Sequence, residues 1–417
     1  MLNIFRITVA LLLASAASMK TSGQASTAPA RTNGVQEISS PAPAASSLPN
    51  LCADARGRIY LSWVEKTGEN RHALRFAVRD RDRWTEPRTI AESEAFGNWA
   101  NFPSLVALPD GTLVAHWLTN SVPGTHASDV KISRSTDGGV MWSNPLVLHN
   151  DRTQTEHGFA SLTPWPDGRL SAVWLDGRKM KASEAGQGHN SAPGDMTLRH
   201  ATMDSRGRIS QDVTLDERVC ECCHTGAVLT SEGVVVVYRD RSDKETRDIS
   251  VVRFHKGRWT EPRTLHADNW QIEGCPVNGP SVAARGRQVA AAWYTAANNI
   301  PRVNLVFSND AGETFGNAIQ VDDGSPLGRV EVAMLADGTA LVVWLEHTAK
   351  GAEIRARRIG ANGSRDQAMI VAETSAARAS GSPQVVCAGD EILFAWTETA
   401  SPSRVRVART GMAGGKR

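Results

Sequence analysis

The chain has 417 residues, 41% of them hydrophobic and 22% charged, enough to bury a substantial core. Its 46 Lys and Arg nearly balance 44 Asp and Glu, leaving a net charge of +2. That balance excludes the basic face that nucleic-acid binding needs, and equally an acidic tail or a strongly charged membrane-surface helix.

Residues 1–6 carry one positive charge, residues 9–13 and the alanines after them are apolar, and Ala14-Ser15-Ala16 is a small-x-small cleavage site. The pattern reads as a secretory signal over 1–17, too short to span a bilayer, and places the mature protein in the periplasm or outside the cell. No cysteine follows until Cys52, so there is no lipid attachment point. Residues 18–48 are rich in Ala, Ser, Pro and Thr and read as a flexible leader, except that residues 35–39 suit a short strand. No later segment reaches transmembrane length, and a single domain is expected over 49–410, with a tail at 411–417.

The organising feature is repetition. Asn101-Phe-Pro-Ser-Leu-Val-Ala-Leu-Pro-Asp-Gly-Thr-Leu-Val-Ala-His-Trp117 is matched by Gly158-Phe-Ala-Ser-Leu-Thr-Pro-Trp-Pro-Asp-Gly-Arg-Leu-Ser-Ala-Val-Trp174. The same frame ends at Trp63, Trp117, Trp174, Tyr238, Trp293, Trp344 and Trp396. Each unit reads as two short apolar strands around a Gly/Asp turn, then two more, with the period-two alternation of half-buried strands. The outer-strand motif Arg83-Trp-Thr-Glu-Pro-Arg-Thr89 recurs at residues 258–264. The spacing predicts an all-β propeller, seven four-stranded blades with six as the alternative. The last unit stops after its third strand, and residues 35–39 would supply the missing outer strand and close the ring.

Ser135-Thr-Asp-Gly-Gly-Val-Met-Trp142 and Ser308-Asn-Asp-Ala-Gly-Glu-Thr-Phe315 fit the Ser-x-Asp-x-Gly-x-x-aromatic pattern, in which Asp caps the turn and Gly takes positive φ. These boxes resemble the Asp-box repeats of the sialidase (neuraminidase) superfamily. The resemblance covers essentially the whole mature chain and implies a propeller with the boxes on the rim opposite any active site.

On that opposite face, the loops leading into innermost strands bring Trp99, Asn101, His157, Cys220, Cys222, Cys223, His224, Cys275 and Asn278. The loops after second strands bring Glu65, Asp176, Arg178, Arg239, Asp240, Arg241, Tyr294, Glu346 and His347. A rim this rich in ionisable groups around a central funnel is the default binding site, and His157, Asn278, Trp99 and Asn101 are its candidate ligand contacts. The sialidase resemblance implies three arginines that clamp a carboxylate, a Tyr/Glu nucleophile pair and an Asp acid. Arg178, Arg239 and Arg247 would form the clamp, Tyr294 the nucleophile, Glu346 its base, and Asp176 or Asp240 the acid. The first-blade arginine of that family has no counterpart: Phe5-Arg-Ile-Thr8 lies in the signal, and Ser46-Ser-Leu-Pro-Asn-Leu51 carries none.

Six cysteines in an exported chain suggest disulfides. Cys52 and Cys387 hold matching places on the first and last innermost strands, and a bridge between them would latch the ring. Cys220, Cys222, Cys223 and Cys275 do not pair comfortably, because three of them lie within four residues. Disulfides, a soft metal such as copper or zinc held with His224, and redox chemistry all stay open for this group, whose spacing reads as neither a zinc ribbon nor a thioredoxin site. The expected function is an exported propeller whose Cys/His cluster binds a small molecule, glycan or metal. The alternatives are a sialidase-type exo-glycosidase acting on acidic sugars and a protein-interaction platform with structural disulfides.

Overall fold

In the computed structural model, which describes residues 34–122, 125–180 and 194–411, the repeat frame becomes seven antiparallel sheets. The proposed signal and the last six residues lie outside the described residues. The innermost strands are Ser46–Ala53, Ser104–Ala107, His157–Pro164, Gly226–Thr230, Ser281–Arg285, Pro326–Met334 and Gln384–Ala388, and they number blades 1 to 7. Each touches the next, and the last touches the first, so the sheets close a ring. The frame aromatics lie on the second strands, and none of the seven is more than 5% exposed. Seven apolar clusters fill the spaces between successive blades, one for each of the seven interfaces. The core is therefore distributed around the ring, as expected when each sheet can bury its faces only against its neighbours.

Closure works as the repeat pattern predicts. Gln36–Ile38 pairs with Arg404–Gly411 in the register Gln36–Arg409, Glu37–Ala408 and Ile38–Val407, and supplies the fourth strand of blade 7. The first blade opens earlier than residue 49: Ser46 is buried and its hydroxyl accepts from the Val405 backbone 3.0 Å away. The Asp-boxes form their turns: Asp137 accepts from the backbone N–H groups of Val140 and Met141 at 3.0 Å, and Asp310 from that of Thr314 at 2.8 Å. Trp142 then packs edge-on against Phe76 of the preceding blade, with ring centroids 6.2 Å apart.

The Cys52–Cys387 latch does not form; both are free thiols. Leu51 and Ala53 of blade 1 face Val386 and Ala388 of blade 7 across their shared interface. With a side-chain period of two, the intervening Cys52 turns toward blade 2 and Cys387 toward blade 6. Among the described residues, no helix is long and apolar enough to cross a membrane.

Candidate functional site

Two lead-in loops carry the same device. Asn101 Oδ1 accepts from the Phe159 backbone N–H and Asn278 Oδ1 from that of Arg329, both at 2.7 Å. Phe159 and Arg329 have positive φ, 52° and 55°, and begin the bulged innermost strand of the following blade. The preceding glycines are pressed against the asparagines: a Cβ on Gly158 would meet Asn101 at 2.1 Å, and one on Gly328 would meet Asn278 at 2.3 Å. Asn101 and Asn278, expected as ligand contacts, are instead stitches that satisfy buried backbone donors between blades.

The sialidase-type set does not assemble. Arg239 is buried and donates to three backbone carbonyls, Asn278 at 2.9 Å, Arg247 at 2.6 Å and Tyr294 at 2.6 Å, while its guanidinium lies over Trp270. Arg247 is held by Glu221 at 2.7 Å and Glu245 at 2.9 Å. Arg178 grips Asp176 through Nε and Nη2, each at 2.7 Å, and reaches Asp212. All three guanidiniums are thus committed to protein acceptors, which a carboxylate clamp cannot afford.

Glu346 accepts from the Trp344 indole at 2.6 Å and the Ser325 backbone at 2.8 Å, so it is not a base for Tyr294. Trp63–Glu65 and Trp174–Asp176 repeat the same link at 3.0 and 2.9 Å, which marks these rim acids as clips for their blade's own tryptophan. Tyr294 packs edge-on against Trp270, and among the described residues no carboxylate hydrogen-bonds its hydroxyl. Asp240 is the acid of the set that is raised: burial and the nearby Asp216 push it up to about 6, whereas Asp176, though burial opposes it, is held below its ordinary value by Arg178 and His157. It accepts from Ser250 Oγ at 3.0 Å, while Asp216 takes the Tyr238 hydroxyl at 2.6 Å.

The four cysteines do gather. Cys222 is bonded to Cys275, and Cys220 Sγ lies 3.9 Å from Cys222 Sγ and 2.9 Å from that of Cys223. The donor set does not fit copper or zinc. Cys222 and Cys275 are spent on each other, which leaves two thiols, and the Arg247 guanidinium lies 3.4 Å from Cys220 Sγ, where a cation would be repelled. His224 faces the central channel beside Phe102, and burial, with the charge of Arg239, lowers it to about 4. Glu221, between two of these cysteines, is fully buried and neutralised by Arg241 and Arg247.

His157 is also internal. Its Nδ1 donates to the Ser128 carbonyl at 3.0 Å, and its Nε2 lies 3.2 Å from Asp151 and 3.7 Å from Asp176. Burial opposes its charge, yet those two carboxylates hold its pKa above the ordinary value. His149 stacks on it with centroids 3.6 Å apart and binds the other Asp151 oxygen at 2.7 Å.

Sequence reasoning missed what lies at the channel itself. A cavity of about 280 Å³ runs between the innermost strands, lined by Asn50, Ser161, His224, Glu331 and Gln384 among others. Burial pushes Glu331 up to about 8, so it is protonated at neutral pH. Next to Ala100, Asn101 and Phe102, which line the cavity at what is here its upper end, Trp99 carries the guanidinium of Arg329 at 5.1 Å and that of Arg378 at 5.8 Å. Arg329 is seated by Ser380 Oγ at 2.7 Å and by the carbonyls of Ala377 and Gly381, and Arg378 is exposed. Among the described residues neither arginine has a carboxylate partner, and burial together with Arg378 lowers Arg329 to about 10.

A family model for the BNR repeat-like domain matches residues 57–325. The chain belongs to that family. Solved structures share the fold of this BNR repeat-like protein. The BP39L lectin of Burkholderia pseudomallei superposes with a TM-score of 0.63 at 11% identity, over 89% of this chain and 98% of its own. The polysaccharide lyase Uly1 gives 0.53 at 9% identity, over 87% of this chain and 89% of its own. An α-L-arabinofuranosidase of Fusarium graminearum gives 0.50 at 13%, over 93% and 97%. No curated relative matches the chain.

Proposed function

We propose that this BNR repeat-like propeller is an exported protein that binds an acidic saccharide at the upper end of its central channel. The observation that carries the reading is a half-buried indole, Trp99, beneath two guanidiniums that no carboxylate among the described residues compensates. The three arginines of the expected clamp, Arg178, Arg239 and Arg247, are each matched to acceptors of their own. Two like charges held together without a counter-ion favour an anion, and a planar fork suits a carboxylate or sulfate ester. The indole offers the apolar face of a sugar ring a flat surface. Propellers of this fold named as a lectin, a polysaccharide lyase and an arabinofuranosidase agree with a saccharide. Binding is favoured over sialidase-type hydrolysis, because the clamp arginines and the base are bonded elsewhere and, among the described residues, no carboxylate hydrogen-bonds the Tyr294 hydroxyl.

The test is calorimetric titration with uronic-acid oligosaccharides and their neutral, carboxyl-reduced counterparts. Saturable binding of the acidic series alone, weakened about tenfold or more in Trp99→Ala and Arg378→Ala and by added salt, is expected. Equal binding of both series, or unchanged affinity in both variants, would overturn the reading.

A further inference from the structure

Two cysteines of the group, Cys220 and Cys223, remain free thiols beside the Cys222–Cys275 bridge. Cys220 and Cys223 are separated by two residues, the spacing of a C-x-x-C dithiol, and their sulfurs are 2.9 Å apart. Both are buried, at 0% and 1% exposure. The adjoining disulfide joins Cys222, buried at 3%, to Cys275, which is half-buried in the lead-in loop of blade 5. A buried dithiol therefore touches a disulfide whose far end reaches the surface. Arg247, fully buried, places Nη1 3.4 Å from Cys220 Sγ and is fixed there by Glu221 and Glu245.

We propose that Cys220, Cys222, Cys223 and Cys275 form a thiol–disulfide relay that carries a disulfide inward and delivers a reactive thiol at Cys275 to a disulfide-bearing partner. The Cys220 thiolate attacks Cys222 Sγ, 3.9 Å away. The Cys220–Cys222 bond forms, the Cys222–Cys275 bond breaks, and Cys275 leaves as thiolate. Cys223 then loses its proton, which Cys275 takes up through solvent, and attacks Cys220 Sγ. The Cys220–Cys223 bond forms and Cys222 leaves as thiolate. One disulfide, one thiolate and one thiol stand on each side, so no outside oxidant or reductant is consumed.

The polarity of the pair suits these roles. Burial alone would raise both thiols, but the hydrogen bond shared with Cys223 and the charge of Arg247 bring Cys220 down to about 7, while burial and the interaction with Cys220 hold Cys223 well above its ordinary value. Cys220 is the attacking sulfur and Cys223 the resolving one. The buried Glu221, which opposes the thiolate, is itself held by Arg241 and Arg247.

The folded protein is treated with iodoacetamide at neutral pH, quenched in acid, and its modified cysteines located by peptide mapping without reduction. In the wild type the cluster's label is expected at Cys275, with Cys220–Cys223 recovered as the disulfide. In Cys220→Ser the relay has no attacking sulfur, and labelling of Cys275 should fall at least tenfold. Cys223→Ser retains the first step, so Cys275 should still be labelled, now with a Cys220–Cys222 bond. That variant separates loss of the relay from loss of fold, as does an unchanged melting curve. Two disulfides in the isolated protein, or cluster labelling that appears only after denaturation, would overturn the proposal.

Discussion

Cys52 and Cys387 occupy equivalent places on the innermost strands of blades 1 and 7, and their equivalence is what turns them apart. Cys52 lies opposite Tyr60 and packs with residues of blades 1 and 2, whereas Cys387 lies opposite Ile392 and packs with those of blades 6 and 7. In a rotational repeat, matched positions point the same way around the ring, so they never meet across one interface. Burial, aided by Asp54, pushes Cys52 up to about 12, and burial pushes Cys387 up to about 11.

Two consequences are measurable. Cys52→Ala and Cys387→Ala should each cost about 1 kcal/mol, the scale of a small buried side chain, where loss of a native disulfide typically costs about 2–5 kcal/mol. Both residues should appear as free thiols in the folded protein, reacting slowly with iodoacetamide at neutral pH. A mapped Cys52–Cys387 peptide would refute this.

The stitches at Asn101 and Asn278 should matter more for stability than for binding. Asn101→Ala leaves the Phe159 N–H without its acceptor inside the ring, at a cost of about 1–3 kcal/mol. Gly158→Ala should be at least as damaging, since its Cβ would collide with the Asn101 amide. Chemical denaturation of both variants, with saccharide titration of the folded fraction, checks the prediction; an intact fold with lost binding would return Asn101 to the ligand site.

The ring was legible because its signal is redundant: seven aromatics in one frame, two Asp-boxes and an unfinished last unit all point to one closure. The site was much less so. Asp176 and Glu346 stand at the rim where catalytic acids would stand, yet each sits two residues after a buried tryptophan whose indole needs an acceptor. The sequence offered that spacing at four frame tryptophans, Trp63, Trp174, Trp344 and Trp396, but a repeated acid reads as chemistry until its partner is seen. Arg239 and Arg247 could not be told from ligand-binding arginines, because a carbonyl acceptor leaves no trace in composition. For Arg378 a signal did exist: its loop, Ser375-Ala-Ala-Arg-Ala-Ser-Gly381, carries a cation and no acid. The C-x-x-C pair was likewise present, hidden by the Cys222 inside it.

Glu331 should make stability fall with pH across the neutral range. Its carboxyl, raised by burial to about 8, keeps its proton in the folded channel while the unfolded chain ionises near the ordinary glutamate value of 4.5. The contribution is therefore full below about 4.5 and is lost as pH rises through about 8, because the folded state binds the extra proton. Glu331→Gln removes this dependence. Its melting temperature relative to wild type should climb by a few degrees between those limits and level off above them; a constant difference would show that Glu331 is ionised in the channel.

His157 should act in the same direction through a different cause. Protonated, it is held by Asp151 and Asp176, so its folded pKa lies above the unfolded value. Its contribution is complete below about 6.5 and disappears as pH rises through the folded pKa. Asp151→Asn removes one partner of a buried pair, a change that typically costs about 3–5 kcal/mol. It also frees His149, whose Nδ1 shares that carboxylate. The loss should be largest in acid and shrink as the pH rises, since deprotonated His157 needs no counter-charge. Denaturation midpoints of wild type and Asp151→Asn from pH 5 to pH 9 would check the sign, and a gap that does not change with pH would mean that His157 is neutral throughout. The variant should leave saccharide binding at Trp99 intact, because the His157 network lies between blades 2 and 3 and shares no hydrogen bond with Arg329 or Arg378.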